Sequence, residues 1–364
     1  MIKTLLEGVT EKDMQAVVNT YNVQELYYPT LFPPKENFSL TIKALEATTG
    51  LRIAGDIIAR GASGDAKSRD AISKIQGDIP KVFIKRYMDD NELDAYQTYI
   101  GLANTDQARL VELWADDTKF CFDGVNNRIE WIALRSISTG KVTLTLENNG
   151  QIVTEYDLDY QVPADQKYGY QVAAWSDVDT AAPITRDFKK VVEDARKKGI
   201  NLKHAFMNLD TFAKLSATKE VIKLCASYAA NVIDLPYIPS VEQVNKTLKQ
   251  LPYLRGLQIH VIDQDITIET PDGARTTANP FADDAVTFTE AAVLGNTYWK
   301  MPADMKVTGS SAIKAMNGLT LVKKFAEEEP LKEVTIGLAN ALPTWQGANR
   351  AVLFDCGHSS FNIN

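Results

Sequence analysis

Cysteine and histidine are scarce in this chain, with three of each among 364 residues. Cys121, Cys225 and Cys356 are odd in number, widely spaced and never arranged as CxxC. That argues against a disulfide framework and fits a reducing compartment. His204, His260 and His358 are far apart in sequence, and no HExxH or paired Cys/His spacing supports zinc. Each histidine therefore reads as a core or edge residue. No run of about 18 apolar residues occurs, so no membrane span is expected. The stretch after Met1 meets Glu7, Glu11 and Asp13 early and lacks the apolar core of a signal peptide. A positive charge excess is missing too. The net charge is −8, a poor basis for holding nucleic acid, because phosphate repels it.

Catalytic motifs are equally thin. Gly61 to Ser68 looks faintly like a phosphate loop, but no lysine directly follows its second glycine. Gly309-Ser310-Ser311 is not a nucleophile elbow. Asp263, Asp265, Asp283 and Asp284 read as solvated acids at strand ends. No catalytic residue, metal or cofactor is expected.

What the chain does have is core material and patterned elements. With 45% hydrophobic residues, it can fill two or three compact lobes. A short amphipathic leader is followed by Tyr27-Tyr28-Pro29-Thr30-Leu31-Phe32-Pro33-Pro34. Its prolines rule out a continuous helix and favour extended backbone, as in an arm lying on something else or a coiled domain edge. Two strand-like runs, Leu51 to Arg60 and Ile79 to Tyr87, flank a polar tip near Lys67 and read as a long hairpin. From Arg60 to Arg86, Arg60, Lys67, Arg69, Lys74, Lys81, Lys85 and Arg86 face three acids, an excess of +4 on a remainder of −12. A basic protrusion can dock onto an acidic second copy, which makes these seven the candidate intersubunit contacts. The plainer alternative is a solvated hairpin face.

From about Asn104 to Ile137 the apolar period becomes helical, through Leu110, Trp114, Cys121, Val125, Ile129 and Ile132. A helix of on the order of 45–50 Å is expected, with a bend at Gly124. Val142, Leu144 and Leu146 then alternate with threonines, and Asn149-Gly150 turns the chain back through Val153, Tyr156 and Leu158. Beyond Pro183, helices are expected at 185–198, 210–215, 219–230 and 241–251. Strands are expected at 204–207, 257–268, 286–294, 334–338 and 351–355. This is a mixed α/β lobe.

In that order the elements resemble the lambda-like major capsid protein E family of tailed phages, which has the Hong Kong phage capsid fold. Three stretches carry the likeness. The first is Leu51 to Gly61 with Ile79-Pro80-Lys81, similar to the family's extended loop. The second is Pro280 to Gly295, where Asp284-Ala285-Val286 leads into Ala292-Val293-Leu294-Gly295. The third is Leu338 to Pro343 followed by Arg350 to Phe354, similar to the closing strands.

The resemblance implies an α+β fold divided in chain order. An N-terminal arm covers 1–38 and an extended loop hairpin 39–95. A peripheral domain with spine helix and hairpin covers 96–175, and an α/β axial domain 176–335. Closing strands over 336–364 return to the peripheral domain. Residues 306–329 look like an insertion in the axial lobe. No long acidic prodomain precedes the arm, so a scaffold is expected as a separate protein or already removed. The resemblance further implies a homo-oligomer of hexamers and pentamers closing an icosahedral shell around double-stranded DNA. It implies no cofactor and no membrane partner, with scaffold, portal and decoration proteins as candidate partners. The place implied is the virion capsid, assembled in the host cytoplasm. The acidic balance suits a surface that faces DNA without holding it. Two other readings stay open at this point, an encapsulin-type nanocompartment shell and an unrelated two-lobed α/β enzyme or ligand-binding protein.

Overall fold

The computed structural model describes residues 4–5, 9–47, 72–102, 107–145, 156–226, 238–254, 256–270, 273–307 and 312–363. Two compact units divide the chain. The first takes Met1–Ile42, Gly77–Ala133 and Asn296–Thr344. The second takes Lys43–Gln76, Leu134–Gly295 and Trp345–Asn364.

The first unit is built on a six-stranded sheet. Its strands run in the order Pro34–Glu36, Gly295–Lys300, Leu331–Trp345, Thr320–Glu328 and Ile313–Asn317, and Lys81–Met88 also pairs with Leu331–Trp345. Leu331–Trp345 is nearly continuously buried, as a strand covered on both faces must be. Its two faces differ in chemistry. Val334, Ile336 and Leu338 cluster with Leu321 on one side. Glu333, Thr335 and Gly337 alternate onto the other.

Against that second face lies the spine helix Gln107–Thr139, whose 33 residues span about 50 Å. Glycine sets their separation. A Cβ on Gly337 would run into the Cys121 backbone carbonyl, and one on Gly124 would come 2.5 Å from Ile84 Cδ1. Gly124 therefore serves close packing, where the sequence suggested a bend.

The leader folds onto its own unit. Thr10 and Asp13 form a capping box that starts the helix Glu11–Asn19. Met14 and Val18 then bury one face against Trp114, Phe122, Ile313 and Val322. Each such burial is worth about 1.5–3 kcal/mol. Tyr28–Leu31 is one helical turn with Pro29 in its first positions, where a missing N–H costs nothing. Pro34–Glu36 pairs in parallel with Gly295–Lys300. The amphipathic leader thus satisfies its apolar face within the chain.

The expected hairpin is shifted. Thr41–Ala47 pairs with Ile72–Asp78, and Ile79 N donates to Leu40 O at 2.7 Å. Lys81–Met88, expected in the return strand, instead lines the six-stranded sheet, because Pro80 interrupts the chain between the two strands. Residues 51–60 lie outside the described ones.

The second unit holds a five-stranded sheet. The order is Lys167–Gly169, Val352–Asp355, Ala285–Thr289, His204–Asn208 and Gln258–Ile262. His204–Asn208 and Gln258–Ile262 are parallel. The intervening chain contributes the helices Leu209–Ala217, Lys219–Cys225 and Val241–Gln250. The core is aromatic, with Phe188 edge-on to Phe288 at 5.0 Å and Trp175 at 5.6 Å from Phe354. Pro183–Phe188 is a π-helical turn leading into the α-helix Lys189–Lys197. Lys141–Leu144 pairs with Tyr156–Asp159 as the alternation predicts, and the turn at 149–150 lies outside the described residues.

The unit boundaries cut across the expected segments. The strands Ile313–Asn317 and Thr320–Glu328 pair in the first unit's sheet, so 312–328 is a hairpin there and not part of the second lobe. Of the closing strands, Leu331–Trp345 lies in the first unit's sheet, but Val352–Asp355 pairs with Ala285–Thr289 in the second. Both are buried strands, and alternation alone cannot say which sheet a buried strand joins.

Candidate assembly surface

The seven basic candidates fall into three groups. Arg60, Lys67 and Arg69 lie outside the described residues. Lys74 sits on the strand Ile72–Asp78. Lys81, Lys85 and Arg86 sit on Lys81–Met88 in the first unit, and the strand's two faces separate them.

Lys81 and Lys85 share a face with Phe83 and Tyr87, opposite Asn340, Ile336, Leu338 and Val334. This row alternates cation and aromatic, and its rings remain open. Phe83 is 53% exposed and Tyr87 50%. Lys81 Nζ stands 6.0 Å from the Phe83 centroid, and Lys332 Nζ 4.2 Å from that of Tyr87. The charges are already matched within the chain. Lys81 pairs with Asp304 at 3.6 Å and Lys85 with Glu327 at 3.3 Å. Exposed pairs of this kind are worth about 0–1 kcal/mol. Asp304 also takes Lys323 Nζ at 2.7 Å, and that hydrogen bond holds its carboxyl below the usual range. Elsewhere in the first unit, Phe38 is 93% exposed.

Arg86 belongs to the other face. Its Nε meets Asp117 Oδ1 at 3.1 Å, and its guanidinium lies 4.9 Å over Phe120, both on the spine helix. It braces helix to sheet.

Several polar groups with structural weight are hidden in the sequence. Glu130 is fully buried and accepts from Tyr27 N at 2.8 Å and Tyr28 N at 2.6 Å, and burial pushes its carboxyl up to about 7. Asp187, also buried, accepts from Trp175 Nε1 at 2.8 Å. His204 Nδ1 and His260 Nε2, 56 residues apart, meet at 2.9 Å on neighbouring strands. Asp284, read as solvated, takes Lys214 Nζ at 2.6 Å and the Cys356 thiol at 3.2 Å. Burial pushes that thiol far above the ordinary range, the opposite of an activated nucleophile. Among the described residues, no three His, Cys, Asp or Glu side chains are placed to hold a metal ion, and no helix is long and apolar enough to cross a membrane.

Among the described residues, the first unit thus presents a strand, Lys81–Met88, whose outer face mixes cations with open aromatic rings. Residues 12–350 match the family model described as phage major capsid protein E. The chain belongs to the phage major capsid protein E family. It is a phage major capsid protein, a building block of the shell, and its place is the virion capsid. The match favours neither the nanocompartment shell nor the two-lobed enzyme.

Solved structures agree on the fold. A protein described as a prophage capsid protein of E. coli CFT073 superposes with a TM-score of 0.58 at 15% identity, covering 95% of this chain and 99% of its own. A phage-related protein from Bordetella bronchiseptica RB50 gives 0.53 at 12% identity, covering 96% and 98%. The mixed helix and sheet architecture is the Hong Kong phage capsid fold. No curated protein matches the chain.

Proposed function

We propose that this capsid protein closes as hexamers and pentamers into an icosahedral shell around double-stranded DNA, assembling in the host cytoplasm. The family match over residues 12–350 carries the reading. The role is structural and not enzymatic, in keeping with a family of shell subunits. Scaffold, portal and decoration proteins are the candidate further partners.

In this proposal the seven basic residues of the Arg60–Arg86 region lie at or near contacts with a neighbouring copy, with unequal parts. Arg60, Lys67, Arg69 and Lys74 act through the extended loop. Phe83 and Tyr87 supply apolar area at about 25 cal/mol per Å², and Lys81 and Lys85 form the polar rim. Arg86 supports the strand from behind. A large ring as open as Phe38 is the kind of group a second copy covers.

Negative-stain imaging of the purified protein, alone and with its scaffold, should show shells or capsomers. A species that stays monomeric under every assembly condition would overturn the reading. Phe83→Ser with Tyr87→Ser should keep the monomer folded by circular dichroism and cut particle yield about tenfold or more, because a loss of about 1.4 kcal/mol weakens each contact about tenfold and the losses multiply over a shell. Undiminished yield would remove this strand from the interface.

A further inference from the structure

Beneath the spine helix, the first unit sets polar side chains in a row that is buried at Lys324 and Thr335 and open at Arg86. Lys324 lies opposite Thr335, and Thr335 lies opposite Arg86. Three adjacent strands thus set these side chains in one line on the helix-facing side. Asp117 comes down onto the line from the helix and spends Oδ1 on Arg86 Nε at 3.1 Å. One turn further along, Cys121 Sγ reaches the Thr335 carbonyl at 3.5 Å, which fixes the helix over this strand.

Asp117, Lys324 and Thr335 are all buried. Lys324 Nζ, Asp117 Oδ2 and Thr335 Oγ1 have no hydrogen-bond partner among the described residues. Glu333 is the anion diagonal to Lys324, a placement of roughly 7–8 Å between neighbouring strands. It is committed elsewhere, accepting from Thr4 Oγ1 at 2.6 Å and Leu5 N at 2.9 Å. Burial pushes the Lys324 ammonium below its usual range, with Glu333 and Asp117 opposing.

The three atoms without partners belong to residues on adjoining register positions, and the Lys324 and Asp117 charges act on each other, which points to a shared partner. Lys324 can only donate, Asp117 Oδ2 accepts when ionised, and the Thr335 hydroxyl can do either. An anion would face Asp117 and Glu333. A cation would face Lys324 and Arg86. A small neutral molecule that accepts once and donates twice fits all three atoms. We propose that Lys324, Asp117 and Thr335 form an internal water site, in which one water molecule accepts from Lys324 Nζ and donates to Asp117 Oδ2 and Thr335 Oγ1. The site pins the register of the helix on the sheet. Sliding by one turn would carry Asp117 away and leave the ammonium bare.

Thr335→Val gives a test in which the two cases differ in sign. Valine keeps the shape of threonine without its hydroxyl. If the hydroxyl bonds the water, Tm falls by about 2–4 °C. If the hydroxyl were an orphan, replacing it with a methyl would raise Tm, and the proposal would fail. In a Lys324→Met background the same substitution should lose most of its effect, because the two residues act through one water. An unchanged effect there counts against the site. Should the variants not fold, a density map of the intact protein that resolves other internal waters decides alone. A peak within about 3 Å of both Lys324 Nζ and Asp117 Oδ2 is expected. An empty position, or a direct Lys324–Asp117 ion pair, overturns the site.

Discussion

Glu130 shows how one side chain can hold a segment in place at a cost. It sits on the spine helix with no exposed surface, and it receives the backbone N–H groups of Tyr27 and Tyr28. Burial raises its carboxyl from 4.5 to about 7, so between those values the native state holds a proton that the unfolded chain releases. The associated stability is complete below about 4.5 and is lost as pH rises through about 7, a swing on the order of 3 kcal/mol. Glu130→Gln removes the titration. Between about pH 5 and about pH 8, the Tm of the native protein should fall more steeply than that of the variant. Asp187, pushed up to about 6 by burial, adds a slope of the same sign to both proteins, so the difference between them is the readout. Parallel Tm curves would show that Glu130 does not titrate in this window. At this scale the sequence is nearly silent. Glu130 lies in an ordinary helical pattern, and nothing in Lys323-Lys324 tells which ammonium is buried. Strand alternation decides it only once Val322 is known to face the helix.

At the scale of elements, periodicity was a good guide and partnership was not. The spine helix, the Lys141–Tyr156 pairing region and the helix near Val241 lie within a few residues of their expected places. Each is defined by local pattern. Lys81–Met88 leaves the expected hairpin because its partner lies far along the chain, whereas the 312–328 strands pair with their neighbours in sequence and join the first unit's sheet through Leu331–Trp345. Leu331–Trp345 pairs with Lys81–Met88 across more than 240 residues. The two glycines at the helix–sheet contact also look alike in sequence, and their surroundings set opposite expectations. Gly337→Ala drives a methyl into a backbone carbonyl that cannot swing aside, and should cost about 1–3 kcal/mol. Gly124→Ala meets only the end of the Ile84 side chain, which can rotate away, and alanine gains about 1 kcal/mol of helix propensity. Denaturant melts should therefore place Gly337→Ala well below the native protein and Gly124→Ala at or above it. The reverse order would mean that the helix does not bear on the sheet at Gly337.

For the whole molecule, charge sets the remaining prediction. From sequence, the +4 stretch on a −12 remainder suggests copies attracting one another, an attraction that salt would weaken. The folded chain alters that balance. Lys81, Lys85 and Arg86 already meet Asp304, Glu327 and Asp117 within the same subunit, so three of the seven charges are matched before a neighbour arrives. What neighbouring copies then feel at long range is mainly the net −8, which is repulsive. In the proposed assembly, exposed apolar groups such as Phe83, Tyr87 and Phe38 would then supply the drive for association. Raising salt from about 0.1 M to about 1 M shortens the screening length from about 10 Å to about 3 Å and should speed assembly followed by light scattering. Lys81→Glu with Lys85→Glu deepens the repulsion, so this variant should assemble only at the higher salt. Its fold should survive, because each lost pair is exposed and worth about 0–1 kcal/mol. Arg86→Glu is the wrong probe, since it would set a carboxylate against the buried Asp117 and unsettle the helix. Assembly that slows as salt rises would restore the attraction between copies and shift the docking charge to Arg60, Lys67, Arg69 and Lys74.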